Sequence, residues 1–163
     1  MASETFDIDT LAGYRAWERW MHRLEAQAKG AATAAMYNAA VMARDEVVRQ
    51  IHIARPYPPI NTSQMVTSWA VVPVQDGFAV QNPTPQAVWM EDGTRPHWVP
   101  LGALMAWAQQ KTRGGGNAFL LARAAQRAIA RRGIRPRHYF RKAQAKFVGF
   151  IDRAIRMEWD RIK

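Results

Sequence analysis

The chain has 163 residues, enough for one domain with its own core, and its apolar content of 48% is typical of a globular protein rather than a disordered one. It lacks Cys, which excludes a disulfide framework, a thiol nucleophile and zinc held by Cys. It also shows neither a signal-peptide pattern nor an apolar run near the roughly 20 residues that span a bilayer. The net charge of +10 is uneven, because residues 1–100 carry 8 Lys and Arg against 10 Asp and Glu, whereas residues 101–163 carry 15 against 3.

A long N-terminal helical region is predicted for residues 1–54. Asp9 or Thr10 can cap a helix whose apolar residues recur at helical spacing, and an Ala-rich run continues it to about Ile53. Gly30 either bends this helix or begins a second segment. The apolar stripe, with charged residues opposite it, predicts that the helix packs against a sheet or a neighbouring subunit.

A small antiparallel sheet of three to four strands is predicted for residues 55–100. The runs "MVTSWAVVPV" and "FAVQ" flank an Asp76-Gly77 turn, a pattern typical of a hairpin. Pro73 indicates a bulge or an edge position in the first strand. A third strand is predicted over residues 86–91. The strands are too close together for helical crossovers, so they should be antiparallel.

The third predicted strand leads into "MEDGTRPHWVP". Glu91, Asp92 and His97 have the chemistry to bind a divalent cation, but the other histidines lie in unrelated contexts, and HExxH, GxSxG and Walker motifs are absent. Asp92 followed by Gly is typical of a turn, and Pro96 and Pro100 stiffen the backbone after it. We therefore predict an interface loop, and no catalytic residue, metal site or cofactor. The residues of this loop are Gly93, Thr94, Arg95, Pro96, His97 and Trp98.

A basic helical region is predicted for residues 101–163. "LGALMAWAQQK" predicts a short helix, and a run of three glycines predicts a flexible break. Asn117 can cap the next helix, which Gly133 can end in a left-handed conformation. A last helix should begin near His138. The whole chain, residues 1–163, is thus predicted to be a single α+β domain with its C-terminal helices packed on one face of the sheet.

The stretch from Lys111 to Lys146 contains 11 basic residues and no acidic one, a pattern that favours an anionic partner such as nucleic acid or an acidic protein surface. The alternative is a solvated helix face. The pattern lacks the combination of Asn or Gln with Arg that reads bases, since Gln126 stands alone. The residues predicted to make charge contacts are Arg123, Arg127, Arg131, Arg132, Arg135 and Arg137.

Four stretches, taken in order, are similar to segments of one known family. They are "PPINTSQMVTSW", "AVWMEDGTRPHWVP", the helix pair "LGALMAWAQQK" and "AFLLARAAQRAIARRG", and "RPRHYFRKA". Over roughly residues 55–145 the chain thus resembles the tail-completion, or head–tail joining, proteins of long-tailed bacteriophages, the group that includes minor tail protein Z. It departs from the family at Ser63, where glycine is usual, and at His138-Tyr139, where a proline is common before Phe140.

The resemblance implies a structural virion protein rather than an enzyme. Its implied place is the phage neck, where it completes the tail and joins it to the DNA-filled head, and it would be in the host cytoplasm during assembly. The implied partners are a tail terminator, a head–tail connector or stopper, and further copies of the chain in a ring, with six-fold symmetry as one arrangement. DNA in the neck channel is a further candidate contact.

Two other functions remain open. The first is a sequence-independent DNA-binding protein that uses the basic C-terminal helices, for which duplex affinity would fall steeply with salt. The second is a metal-dependent hydrolase, which requires Glu91, Asp92 and His97 to converge on one metal ion.

Overall fold

A computed structural model describes residues 5, 7, 9–54, 64–113 and 115–162. This part of the chain is mostly helical and contains one two-stranded antiparallel sheet. In chain order the elements are α1 (Leu11–His52), α2 (Gln64–Thr67), β1 (Ala70–Val74), β2 (Gly77–Gln81), α3 (Pro85–Asp92), α4 (Leu101–Lys111), α5 (Ala118–Arg132), α6 (Tyr139–Gln144) and α7 (Phe147–Ile162). None of the helices in the described ranges is long and apolar enough to cross a bilayer.

The predicted long N-terminal helix is confirmed as α1. Thr10 caps it, because the Thr10 Oγ1 accepts a hydrogen bond from the Gly13 N–H at 3.1 Å. The helix is continuous through Gly30, so no second segment begins there. Pro56, Pro58 and Pro59, which the sequence predicts to end this helix, lie outside the described residues.

The prediction of three to four strands is wrong for the described residues, in which the sheet has two strands. Residues 86–91, expected to form a third strand, belong to α3. Pro85 is the first residue of this helix, where its fixed φ fits and its missing N–H costs no hydrogen bond. A run of six residues, some apolar and some polar, is too short for its periodicity to distinguish a strand from a helix. The Thr84-Pro85 pair just before it favours the helix, because Pro fits the first helical position.

The predicted hairpin around Asp76 and Gly77 is confirmed, although its first strand begins only at Ala70. The preceding "QMVT" forms the short helix α2 instead. Pro73 is compatible with β1 because each strand of a two-stranded sheet is an edge strand. The Phe78 ring of β2 meets the Tyr37 ring of α1 edge to face, with 5.3 Å between their centroids.

The chain divides into two compact units, and the prediction of a single domain stays a prediction. The first unit comprises residues up to Ala43, the segment Val71–Ala79 and the chain from Lys146 onward. The second comprises Arg44–Ala70 and Val80–Ala145.

In the first unit, α7 packs against α1 through small side chains. Ala35 and Ala39 of α1 are buried in one cluster with Ala154 of α7. Beside them the Asn38 Nδ2 donates a hydrogen bond to the Glu158 Oε1 at 2.8 Å. Alanines at the contact allow the two helix backbones to approach closely, since no long side chain separates them.

In the second unit, α4 packs against α5, and α3 contacts α6. Ala108 of α4 and Ala122 of α5 are fully buried, as are Val47 and Ile51. The last helix, which was predicted to begin near His138, is divided into α6 and α7. The division contains neither Gly nor Pro, so helical periodicity gave no sign of it.

Candidate functional site

The predicted interface loop begins where Gly93 ends α3 in a conformation that favours glycine, with φ of +77°. A Cβ on this residue would lie 2.5 Å from the Ile134 carbonyl oxygen and 2.9 Å from the ring of Pro136. Glycine is therefore required here for two reasons, its backbone angle and the close approach of the segment after α5.

Thr94 joins the same segment by two hydrogen bonds. Its N–H donates to the Ile134 carbonyl at 2.9 Å, and its Oγ1 accepts from the Ile134 N–H at 3.0 Å. Gly133, with φ of +70°, lies so close that a Cβ there would overlap the Thr94 carbonyl oxygen. The base of the interface loop is thus held directly against the end of α5 by hydrogen bonds and close contact.

His97 makes a local contact in this loop. Its Nδ1 lies 2.8 Å from the Arg95 carbonyl oxygen and 3.3 Å from the Thr94 Oγ1. A carbonyl oxygen only accepts, so the Nδ1 carries the hydrogen and donates it. Arg95, Pro96, His97 and Trp98 are all exposed, and Trp98 leaves 64% of its surface open to contact.

Glu91 caps a helix instead of facing His97. Its two carboxylate oxygens accept hydrogen bonds from the Phe140 N–H at 2.9 Å and the Arg141 N–H at 3.0 Å, at the start of α6. Its backbone carbonyl accepts from the His138 N–H at 3.3 Å. Among the described residues no group of three His, Asp or Glu side chains could hold a metal ion.

The basic helix α5 forms where the sequence predicts it. The Asn117 Oδ1 accepts a hydrogen bond from the Leu120 N–H at 3.1 Å, which confirms the predicted cap, and Gly133 ends the helix with a left-handed φ. The helix presents Ala122 and Gln126 to the interior. The arginines near its C-terminal end also suit the negative end of the helix dipole.

Gln126 and Arg123 have structural contacts that sequence reasoning missed. The buried Gln126 donates from its Nε2 to the Val99 carbonyl at 2.7 Å, and Arg123 donates from its Nη1 to the Gln126 Oε1 at 2.9 Å. Arg123 is half-buried. Residues four apart on a helix differ by about 40° in direction around its axis, so arginines at this spacing do not all lie on one face. A buried amide that bonds a distant backbone carbonyl leaves no signal in the sequence.

Arg127, Arg131, Arg132 and Arg135 form a surface that we call the basic surface. All four are exposed, and no carboxylate in the described part of the chain forms an ion pair with any of them. They line two adjoining depressions. The first is lined by Ala124, Arg127, Ala128, Arg131 and Arg132, and the second by Met90, Ala128, Arg132, Gly133, Ile134, Arg135 and Arg137.

The structure brings together two sets of residues that the sequence suggested separately. Met90, just before the interface loop, lines the same depression as Arg132 and Arg135. The pairing of Thr94 with Ile134 places the loop at that depression as well. Guanidinium groups around a shallow apolar depression can bind phosphates or carboxylates, each by donating two parallel hydrogen bonds.

Tyr139, two residues beyond Arg137, is buried, and its hydroxyl has no hydrogen-bond partner among the described residues. Burial raises the pKa of Tyr139 to about 12, and the nearby Glu91 carboxylate adds to the rise while Arg137 opposes it. The side chain therefore remains uncharged at ordinary pH and contributes by packing.

The chain matches no protein-family model, and no curated protein or solved structure is significantly similar to it.

Proposed function

We propose that this protein is a structural component of a bacteriophage neck, which completes the tail and joins it to the DNA-filled head by protein–protein contacts and without catalysis. The observation that carries the proposal is the basic surface, with four exposed arginines that lack carboxylate partners in the described residues. Such a surface suits an acidic connector, stopper or tail terminator. The resemblance over residues 55–145 supplies the place in the virion.

The interface loop supports a docking role. Gly93 and Thr94 are held against Ile134 by close approach and two hydrogen bonds, while the next four residues are exposed. A loop whose base is fixed loses little conformational entropy when its tip binds a partner. Trp98, more than half exposed, is the side chain best suited to be buried there.

The experiment that tests this proposal is deletion of the gene from its phage or prophage. We expect full heads and finished tails that do not join, seen by electron microscopy of the lysate, and restoration of joined particles by the gene supplied in trans. Infectious particles in normal number would refute the proposal, and so would empty heads, which would place the defect in DNA packaging.

A second function, sequence-independent DNA binding, is favoured by the same basic surface. Gln126, the one amide side chain on α5, is buried and bonded to Val99, so it does not read bases, and the exposed arginines suit contacts with phosphates. This function predicts duplex binding at about 50 mM salt that weakens steeply as salt rises. If the protein does not bind duplex DNA under those conditions, this second function is excluded.

A further inference from the structure

The N-terminal part of α1 carries large apolar side chains that remain exposed in the described part of the chain. Leu11, Tyr14, Trp17 and Met21 are 68%, 48%, 37% and 41% exposed, and we call them the α1 stripe. They recur every three or four residues and so share one side of the helix. Tyr14 and Trp17 contact each other, with 5.9 Å between their ring centroids.

Three residues of the stripe belong to a longer seam along α1 that is covered at its other end. Seam residues alternate at spacings of three and four, as in helices that pack side by side. They are Tyr14, Trp17, Met21, Leu24, Ala28, Ala31, Ala35, Asn38 and Met42. Ala35 and Met42 pack with Ala154 of α7, and Asn38 bonds Glu158.

The packing of α7 on the seam of α1 ends at the last turn of α7. Along α7, Ala154 meets Ala35 and Ala39, Glu158 bonds Asn38, and Arg161 lies with Gln27 and Gly30 in one depression. The two helices are therefore antiparallel, and the last turn of α7 is opposite Gln27–Ala31. Beyond that point the α1 stripe, from Met21 to Leu11, extends for about 15 Å along the helix axis with its side chains exposed.

A second exposed apolar surface is found on α7 itself. Val148, Ile151, Ile155 and Trp159 are 79%, 51%, 54% and 55% exposed, and we call them the α7 stripe. Their spacings of three, four and four residues place them on one side of the helix, next to the side that packs against α1. This stripe is about 16 Å long, so its length matches that of the α1 stripe.

The two stripes together supply about two thirds of the area of a small specific interface. Eight large side chains, each about half exposed, offer on the order of 800 Å² of apolar surface, to which charged residues at the edges would add. Specific interfaces begin at roughly 1,200 Å² in total. A helix segment of about 15 residues is also marginal in water by itself, so cover of the α1 stripe would stabilise it.

We propose that the α1 stripe of one copy packs against the α7 stripe of the next copy. Two different, length-matched surfaces on one chain make a head-to-tail contact, which closes into a ring when the rotation between copies allows it. The inference rests on the proposed function only in expecting a ring of copies. The contact itself is tested with purified protein, so its failure would be distinct from a failure of the role in the neck.

The test uses two variants and their mixture, measured by light scattering after size exclusion. Wild-type protein should form oligomers larger than a dimer. The double variant Tyr14→Glu, Trp17→Glu and the double variant Ile151→Glu, Ile155→Glu should each be monomeric. Their mixture should form a 1:1 dimer and nothing larger, because each variant keeps the stripe that the other has lost. Arg19→Glu and Arg153→Glu, on other sides of the two helices, should leave the oligomer intact.

Three results would overturn the proposal. Wild-type protein that is monomeric at about 100 µM lacks the contact. An α7-stripe variant that still forms oligomers would indicate that α1 meets α1. A mixture that stays monomeric would show that the two stripes do not bind each other.

A cross-linking measurement decides the question even if the glutamate variants misfold. The chain has no Cys, so introduced thiols are the only ones present. A protein with both Trp17→Cys and Ile155→Cys should give a ladder of oligomers with a short bis-maleimide. Each single variant alone should stay uncross-linked, while mixing the two single variants should give only a dimer. Cross-linking of either single variant alone would overturn the proposed pairing.

Discussion

Thr94 and Ile134 bond each other in both directions, through the Thr94 N–H to the Ile134 carbonyl at 2.9 Å and through the Ile134 N–H to the Thr94 Oγ1 at 3.0 Å. The pair lies 40 residues apart in sequence and fixes the interface loop against the end of α5. It connects the turn at Gly93 with the segment that follows Gly133 and carries Arg135 of the basic surface.

Thr94→Val should therefore destabilise the protein. Valine has nearly the same shape as threonine but offers no acceptor, so the half-buried Ile134 N–H loses its partner, at a cost of about 1–3 kcal/mol in the free energy of unfolding. Urea denaturation measures the change. Thr94→Ser keeps the acceptor and should retain most of the stability, and equal losses in the two variants would contradict this account.

Gly133→Ala should be more damaging than an ordinary Gly→Ala change. The φ of +70° disfavours alanine, and its Cβ would overlap the Thr94 carbonyl oxygen, so the loop must move away from α5. We expect a loss of more than about 1 kcal/mol in the free energy of unfolding. Gly102→Ala is the matched control, because nothing lies within 4 Å of a Cβ there, and it should be neutral or stabilising. Equal thermal midpoints for the two variants would contradict the close contact.

Some of the fold can be predicted from local chemistry that is visible in the sequence. The Thr10 and Asn117 caps, the end of α5 at Gly133 and the hairpin at Asp76 were all predictable, because each depends on residues within a few positions of one another. Such signals place the beginnings and ends of elements. They contain no information on which distant segments meet.

The features that were missed depend on distant contacts or on very short runs. The bonds between Glu91 and the start of α6, and between Gln126 and Val99, join segments that are 49 and 27 residues apart. The third strand was predicted for residues 86–91, where a proline at the first helical position favours α3. The predicted set of charge contacts also included Arg123, whose bond to Gln126 gives it a structural contact.

Tyr139 predicts a stability change at alkaline pH. Burial raises the pKa of its hydroxyl to about 12, from the ordinary value of 10.0, so the unfolded chain loses this proton at a lower pH than the folded protein. The contribution is fully present below pH 10 and should decrease as the pH rises from about 10 to about 12. Chemical denaturation across that range would show a steeper decline for wild type than for Tyr139→Phe.

Tyr139→Phe should change the free energy of unfolding little at neutral pH. Because the Tyr139 hydroxyl is buried without a hydrogen-bond partner in the described part of the chain, its removal should leave stability unchanged or slightly higher. A loss of more than about 1 kcal/mol at pH 7 would mean that the hydroxyl has a partner after all.

Charge reversal on α5 separates the role of the basic surface from the net charge. Arg127→Glu with Arg131→Glu alters two exposed side chains that have no ion-pair partner in the described residues, so folding should be unaffected, with a change within about 0.5 kcal/mol. Arg113→Glu with Arg153→Glu makes the same change in net charge at two exposed residues that line neither depression. Each variant gene is supplied in trans to the deleted phage. The Arg127 and Arg131 pair should reduce the yield of joined particles at least tenfold, because like charges would then face an acidic partner. The Arg113 and Arg153 pair should complement normally. If both pairs complement equally, the basic surface is a solvated helix face and the partner binds elsewhere.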